Sequence, residues 1–123
     1  MAAIRWRDTK PEKVVRFVVR RLGVKCQLHR KDLPGKPDLV FPNQRKVIFV
    51  HGCFWHLHRC RYGRVKPATN VRFWTEKRTK NRERDRRIRG ILRRKGWEVL
   101  TVWECWTRNS ARVHVEVRNF LRS

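Results

Sequence analysis

Acidic residues are scarce in this chain. Ten Asp and Glu stand against 33 Lys and Arg in 123 residues, a formal net charge of +23. A charge of that size repels itself in the folded state, so it points to a polyanionic partner. Nucleic acid is the first class to consider and a membrane surface the second. Long apolar runs are absent, and the start Met1-Ala2-Ala3-Ile4-Arg5 does not resemble a signal peptide. Those absences set the membrane reading aside. Cysteine is sparse as well: Cys26, Cys53, Cys60 and Cys105 are the four. Four in a chain of this size do not build a dense disulfide scaffold. Without a secretory signal the expected compartment is the reducing cytoplasm, where clustered Cys and His bind metal. No internal repeat and no Ser/Gly linker interrupts the sequence. Residues 1–123 therefore read as one domain, with a thin core that a metal staple would help.

What is present falls into a simple order of elements. Thr9 and Glu12 have the spacing of a capping box, with Pro11 tolerated in the first turn. Val14, Val15, Val18, Val19 and Leu22 recur at helical spacing, and Gly23 ends the run. Three short β-like runs follow, at residues 24–28, 37–41 and 47–51. Turn chemistry separates them, Leu33-Pro34-Gly35-Lys36 and then Pro42-Asn43, which predicts an antiparallel meander. Residues 70–95 are a long basic segment with Phe73, Trp74, Ile88, Ile91 and Leu92 as apolar positions, and Gly96 after it. They read as a helix. "WEVLTVW", residues 97–103, reads as a buried strand, and residues 112–121 as a last helix with Val113, Val117, Phe120 and Leu121 on one side. A strand reached through a long helix pairs in parallel, so the expectation is an α/β fold: a mixed sheet with helices packed on it.

Chemistry concentrates in "VHGCFWHLHRC", residues 50–60. Cys53, His58 and Cys60 lie close in sequence, and zinc prefers four N or S ligands in a tetrahedron. Cys105, just past the last strand, is one candidate fourth ligand; Cys26, inside a strand pattern, competes for the place. The bland alternative is four reduced, unliganded thiols. His51 and His56 border the cluster, and either is a structural histidine or an acid/base group. Phe54 and Trp55 are adjacent, so on a regular element they cannot both face one core; they either stack on bases or line the core. Asp38 opens the run "PDLVF" and is a candidate ligand for a hard cation, or a solvated turn residue. Asp85, in "NRERDRR", is an intrahelical ion-pair partner or the orienter of a catalytic histidine.

Four ordered blocks, "LPGKPDLVF", "VIFVHGCFWHLHRC", "FWTEKRTKNRERDRR" and "GWEVLTVWEC", together resemble the very-short-patch-repair (Vsr) endonucleases, over most of the chain. Members of that family nick double-stranded DNA 5′ to the thymine of a T:G mismatch left by deamination of 5-methylcytosine. The resemblance implies a restriction-endonuclease-like fold with a structural zinc site. It implies that Cys53, His58, Cys60 and Cys105 hold Zn2+, and that Asp38 and the backbone carbonyl of Val50 bind catalytic Mg2+. His56 matches the histidine that activates the attacking water, and Asp85 the acid that supports it. His51 and Glu12 match positions beside the metal centre. Phe54 and Trp55 match aromatics that intercalate beside the mismatch, and Met1 a methionine that contributes to the same wedge. Two departures stand out: Val50 takes a place that is often threonine, and the chain begins near the end of a longer N-terminal segment found in relatives. Sequence context on the DNA is therefore expected to differ.

The resulting expectation is a Mg2+-dependent, zinc-stabilised mismatch endonuclease, a monomer on mismatched DNA, with mismatch-repair proteins as further partners. Two alternatives compete: the same fold with relaxed specificity for mismatches or damaged bases, and a zinc-containing nucleic-acid-binding module without catalysis. The joint presence of Asp38 and His56 argues against the second.

Overall fold

Valines spaced along one side of the first helix pull it onto the sheet, and the remaining elements follow from that contact. The computed structural model describes residues 9–123 other than 57, 62 and 67; the expectation for Met1 lies outside the described residues. Helix α1 spans Lys10–Arg21. Thr9 Oγ1 accepts the Glu12 N–H at 3.4 Å, with Pro11 in the first turn, as the capping signature requires. Gly23 follows the helix at a positive φ of 73°.

The first strand is shorter than its apolar pattern suggests. Only β1, Gln27–Leu28, pairs, instead of residues 24–28. The physical reason is the helix end: the N–H groups of Leu22, Gly23 and Val24 bond back to Val18, Arg20 and Val19. That stretch completes a helix cap and is not available to a ladder. Strand β2 is Leu39–Phe41 and β3 is Lys46–His51. The two are antiparallel, with Leu39 opposite Ile48 and Phe41 opposite Lys46. In the turn before β2, the Lys36 N–H meets the Leu33 carbonyl at 3.1 Å. Gly35 there has φ 75°, and a Cβ on it would come within 2.6 Å of Ile88. Both backbone sign and space thus require glycine.

Helix α2, Val71–Arg94, crosses to strand β4, Glu98–Trp103, which pairs in parallel with β3 from Lys46↔Glu98 to His51↔Trp103. The sheet order is β1-β2-β3-β4, and the predicted mixed sheet is what forms. A five-residue 3-10 helix, Glu104–Arg108, was not foreseen in the sequence, and α3 begins earlier than expected, spanning Ser110–Arg122. Its start is set by Asn109, whose side-chain oxygen accepts the Ala111 N–H at 3.1 Å.

Alternation along the strands sorts the core into two layers. Leu39, Phe41, Ile48 and Val102 face α1 and α3, where they meet Val15, Val18, Val19, Val113 and Val117. Val40, Val47 and Phe49 face the other way, onto Leu92, Trp97 and Ile88. His51, two residues beyond Phe49, continues this second row and is buried beneath α2. The sheet thereby delivers the end of β3 and the start of β2 to one edge of the α2 interface.

Candidate active site

Past His51 the chain leaves the sheet in a tight turn, with the His56 N–H bonded to the Gly52 carbonyl and the His58 N–H to the Cys53 carbonyl. In such a turn successive side chains point in different directions. Cys53 goes inward and is fully buried, Phe54 and Trp55 are half-buried beside the N-terminal half of α2, and His56 reaches back to Asp85. The irregular backbone is the reason two adjacent aromatics need not compete for one core.

Helix α2 holds this turn residue by residue. Arg78 Nε donates to the Phe54 carbonyl at 2.7 Å, Asn81 Nδ2 to the Trp55 carbonyl at 3.1 Å, and Asp85 Oδ2 lies 2.5 Å from His56 Nδ1. Positions 78, 81 and 85 share one helix face, so three consecutive turn residues are fixed by one row of side chains. Arg78 also donates to the carbonyls of Val65 and Gly63, and its guanidinium lies 4.1 Å from the centre of the Phe54 ring. Arg78 and Asn81 were missed in the sequence; their helical spacing from Asp85 was the available signal.

Cys53, His58, Cys60 and Cys105 come together, with one ligand atom from each within 4.8 Å of the others. Cys26 lies apart from them, packed against the α1–α3 core layer, so it is not the fourth member. All four cysteines are free thiols. The Cys105 Sγ to His58 Nδ1 separation is 3.5 Å. That matches the edge of a zinc tetrahedron, about 3.5 Å for Zn–S near 2.3 Å and Zn–N near 2.0 Å. The Cys105 N–H points at Cys53 Sγ, 3.3 Å away, where it would support a thiolate. Burial pushes the Cys53 thiol up to about 12, with Cys60 and Cys105 adding to the rise, and burial raises Cys105 as well. Burial and the charge of Arg112 hold His58 neutral by lowering its pKa. Neutral imidazole and thiols crowded together are a donor set suited to a borderline-soft cation, which would draw the thiol protons off. The residues fit zinc.

A second cluster is His51, His56 and Asp85. The two imidazoles stack 3.9 Å apart and 4° from parallel, and His51 Nδ1 stands 3.8 Å from Asp85 Oδ2. Burial, then the charges of His56, Arg89 and Arg84, drive His51 down to about 3 against the pull of Asp85, so this ring is neutral. Burial alone would raise Asp85, but the hydrogen bond from His56 and the neighbouring positive groups outweigh it and hold the carboxyl below its ordinary range. An ionised Asp85 accepts, so His56 Nδ1 donates and Nε2 is the ring nitrogen left facing away from Asp85. Asp85 thus bonds across elements, to His56.

The third cluster is Glu12, His29 and Asp38. Asp38 Oδ2 accepts the Val50 N–H at 2.7 Å, which pins the start of β2 to β3. Burial raises Asp38 to about 7 in spite of that bond, and the adjacent Glu12 carboxylate adds to the rise. Burial and a neighbouring carboxylate both disfavour an ionised Asp38, and a hard divalent cation would offset them. The residues fit Mg2+. Asp38 is thus not a solvated turn residue.

One cleft of about 960 Å3 joins Asp38 to His51, His56 and Asp85, and Val50 and Trp55 line it as well. Lys36, Lys77, Arg84 and Arg89 stand on its walls, so a phosphate would enter a positive field. Trp103 joins the first two clusters, stacking on His58 at 4.1 Å and meeting His51 edge-on at 5.6 Å.

Comparison with known proteins agrees with this geometry. The family model described as "DNA mismatch endonuclease Vsr" matches residues 1–62. A type II nicking enzyme, V.XorIIP of Xanthomonas oryzae pv. oryzae, is 45% identical over 121 residues, covering 98% of this chain and 88% of that protein. The DNA mismatch endonuclease Vsr of Escherichia coli K12 is 49% identical over 105 residues, 85% of this chain and 67% of that protein. The type II nicking enzyme V.NmeAIP of Neisseria meningitidis is 41% identical over 111 residues, 90% of this chain and 79% of that protein. The cleft, its histidine–aspartate pair and these likenesses converge on one conclusion: the chain belongs to the Vsr family of DNA mismatch endonucleases.

Proposed function

We propose that this protein nicks double-stranded DNA on the 5′ side of the thymine in a T:G mismatch, in a Mg2+-dependent reaction on a restriction-endonuclease-like fold stabilised by zinc. As a member of the Vsr family it is a DNA strand-nicking endonuclease. One observation carries the finer reading: Asp38, the His56–Asp85 pair and the Trp55 ring line a single basic cleft.

Phosphodiester hydrolysis needs a base for the attacking water and charge on the departing 3′ oxygen. His56 Nε2 takes the water proton, and Asp85 holds the ring in the required tautomer and stabilises the imidazolium that forms. His51 packs flat on His56 as a neutral ring, so it orients the base without adding a like charge. Asp38 and the Val50 carbonyl would hold Mg2+, which when bound would supply Lewis-acid charge for the transition state and the leaving oxygen. Phe54 and Trp55 enter the stack. Unstacking costs least at a mismatched step, and this turns local weakness into selectivity. Because consecutive residues 54–56 are held by one face of α2, the wedge and the base are one rigid piece.

A nicking assay over all mismatches and a matched duplex, with and without Mg2+, tests the reading. T:G should be cut on one strand only when Mg2+ is present, and Asp38→Ala should bind the DNA without nicking it. Cleavage by that variant, or metal-free cleavage, would sink the Asp38 assignment; equal cutting of every mismatch would favour the relaxed-specificity alternative.

A further inference from the structure

His29 takes no part in the reaction as described, yet it stands inside the carboxylate cluster. It follows β1 at φ 52°, a backbone sign that few residues other than glycine adopt and that histidine tolerates better than most. Its N–H donates to the Asp38 carbonyl at 3.2 Å, so the turn is tied to the strand end that carries Asp38. Its Nε2 lies 2.6 Å from Glu12 Oε1, while Arg16 Nη1 lies 3.2 Å from Glu12 Oε2. Glu12 is 1% exposed, and the ligand atoms of Glu12, His29 and Asp38 all lie within 4.8 Å of one another.

A buried carboxylate beside a second carboxyl is repelled by it and badly solvated. Without the donor that His29 places on Oε1, the Glu12 side chain would gain by rotating away from Asp38. We propose that His29 is a positioning residue for the divalent-cation site: it donates to Glu12 and keeps that carboxylate turned toward Asp38, so that a cation meets both acids at once. This rests on Asp38 being the Mg2+ ligand. Outer-shell donors of this kind change metal affinity by roughly 10–100-fold. The backbone bond to Asp38 gives the clamp its aim, because the same residue that holds Glu12 is fixed to the strand end it must face.

Mn2+ reports on the site without DNA or turnover. The zinc-loaded protein is titrated with Mn2+ and the free ion followed by electron paramagnetic resonance, for wild type, Asp38→Ala, His29→Asn and His29→Gln. Asn tolerates the positive φ but is too short to reach Glu12; Gln keeps a long N–H donor. His29→Asn should weaken Mn2+ about tenfold, with zinc content and melting temperature kept, and His29→Gln should restore most of the affinity. In a Glu12→Gln background, His29→Asn should have no further effect, since the clamp acts through Glu12. Wild-type affinity in His29→Asn overturns the inference and leaves the Asp38 reading standing if Asp38→Ala has lost the ion. Wild-type affinity in Asp38→Ala overturns both. Should His29→Asn not fold, the comparison of His29→Gln with wild type decides: equal affinities support the clamp, and a tenfold loss in a folded, zinc-replete protein overturns it.

Discussion

Cys53 and His56 are three residues apart, and the geometry puts them in different clusters. Cys53 is buried with His58, Cys60 and Cys105, while His56 is turned the other way onto Asp85. The two groups should therefore separate in experiment. On the proposed reading Cys105→Ser removes one of four zinc ligands, and a structural zinc site contributes to folding. The substitution should lower zinc content and melting temperature together. His56→Ala should leave both near the wild-type values and remove nicking. Elemental analysis and calorimetry of the two purified variants check this; zinc lost from His56→Ala and kept in Cys105→Ser would reverse the division. Trp55 offers a third contrast. Its ring meets Trp74 edge-on at 5.3 Å and borders the cleft, so it is supported from behind and open in front. Trp55→Ala should cost more affinity for mismatched than for matched duplex, on the order of 1–3 kcal/mol if one base-stacking contact is lost. Equal losses on both duplexes, measured by fluorescence anisotropy, would make the ring a packing residue.

Among the elements, α2 carries the largest share of the site. Its basic sequence reads as a solvated DNA-facing helix, and most of it is exposed, but Arg78 is 4% exposed and spends its donors on the carbonyls of Phe54, Gly63 and Val65. Burial lowers the pKa of this guanidinium, and the three carbonyls replace the hydration that burial removes. Replacing it by methionine keeps the stem and leaves three carbonyls short of a donor. A loss of roughly 1–3 kcal/mol for each acceptor left buried bounds the effect. The expected result for Arg78→Met is a lower melting temperature and faster zinc loss to a chelator, with duplex affinity nearly unchanged at saturating zinc. A variant that loses duplex affinity but keeps its zinc would place Arg78 on the DNA instead. Much of the element order was legible beforehand. The α2 and β4 patterns are long and periodic, and their parallel pairing follows from the helix between β3 and β4. The extent of β1 and the 3-10 helix were not legible. Each is so short that its backbone bonds, and not its side-chain pattern, decide it.

For the molecule as a whole, a net charge of +23 predicts binding that weakens steeply with salt. Each phosphate neutralised contributes a slope of about −0.9 in log K against log salt on duplex DNA. Cations on the cleft walls and along α2 make several such contacts available, so titrations between low and physiological salt should give a slope several times that figure. A flat dependence would mean that the positive surface is not what meets the DNA. Among the described residues no helix is long and apolar enough to cross a membrane.

The sequence by itself determined the residue types of the site and the elements that bear them. Spacing marks Cys53, His58 and Cys60 as one candidate ligand group, and short β-like runs between turn residues mark 37–41 and 47–51 as strands, the first of which pairs over Leu39–Phe41. It did not decide between Cys105 and Cys26, because both lie far along the chain from Cys53 and only the parallel pairing of β4 with β3 carries Cys105 back to it. Nor did it reveal His29, which looks like an exposed turn residue until the antiparallel pairing of β1 with β2 brings it against Asp38 and the packing of α1 brings Glu12 to its ring. Local pattern reports which face of an element is apolar. Which polar groups meet across elements depends on strand register and helix packing, and those are settled only when the sheet closes on both of its layers.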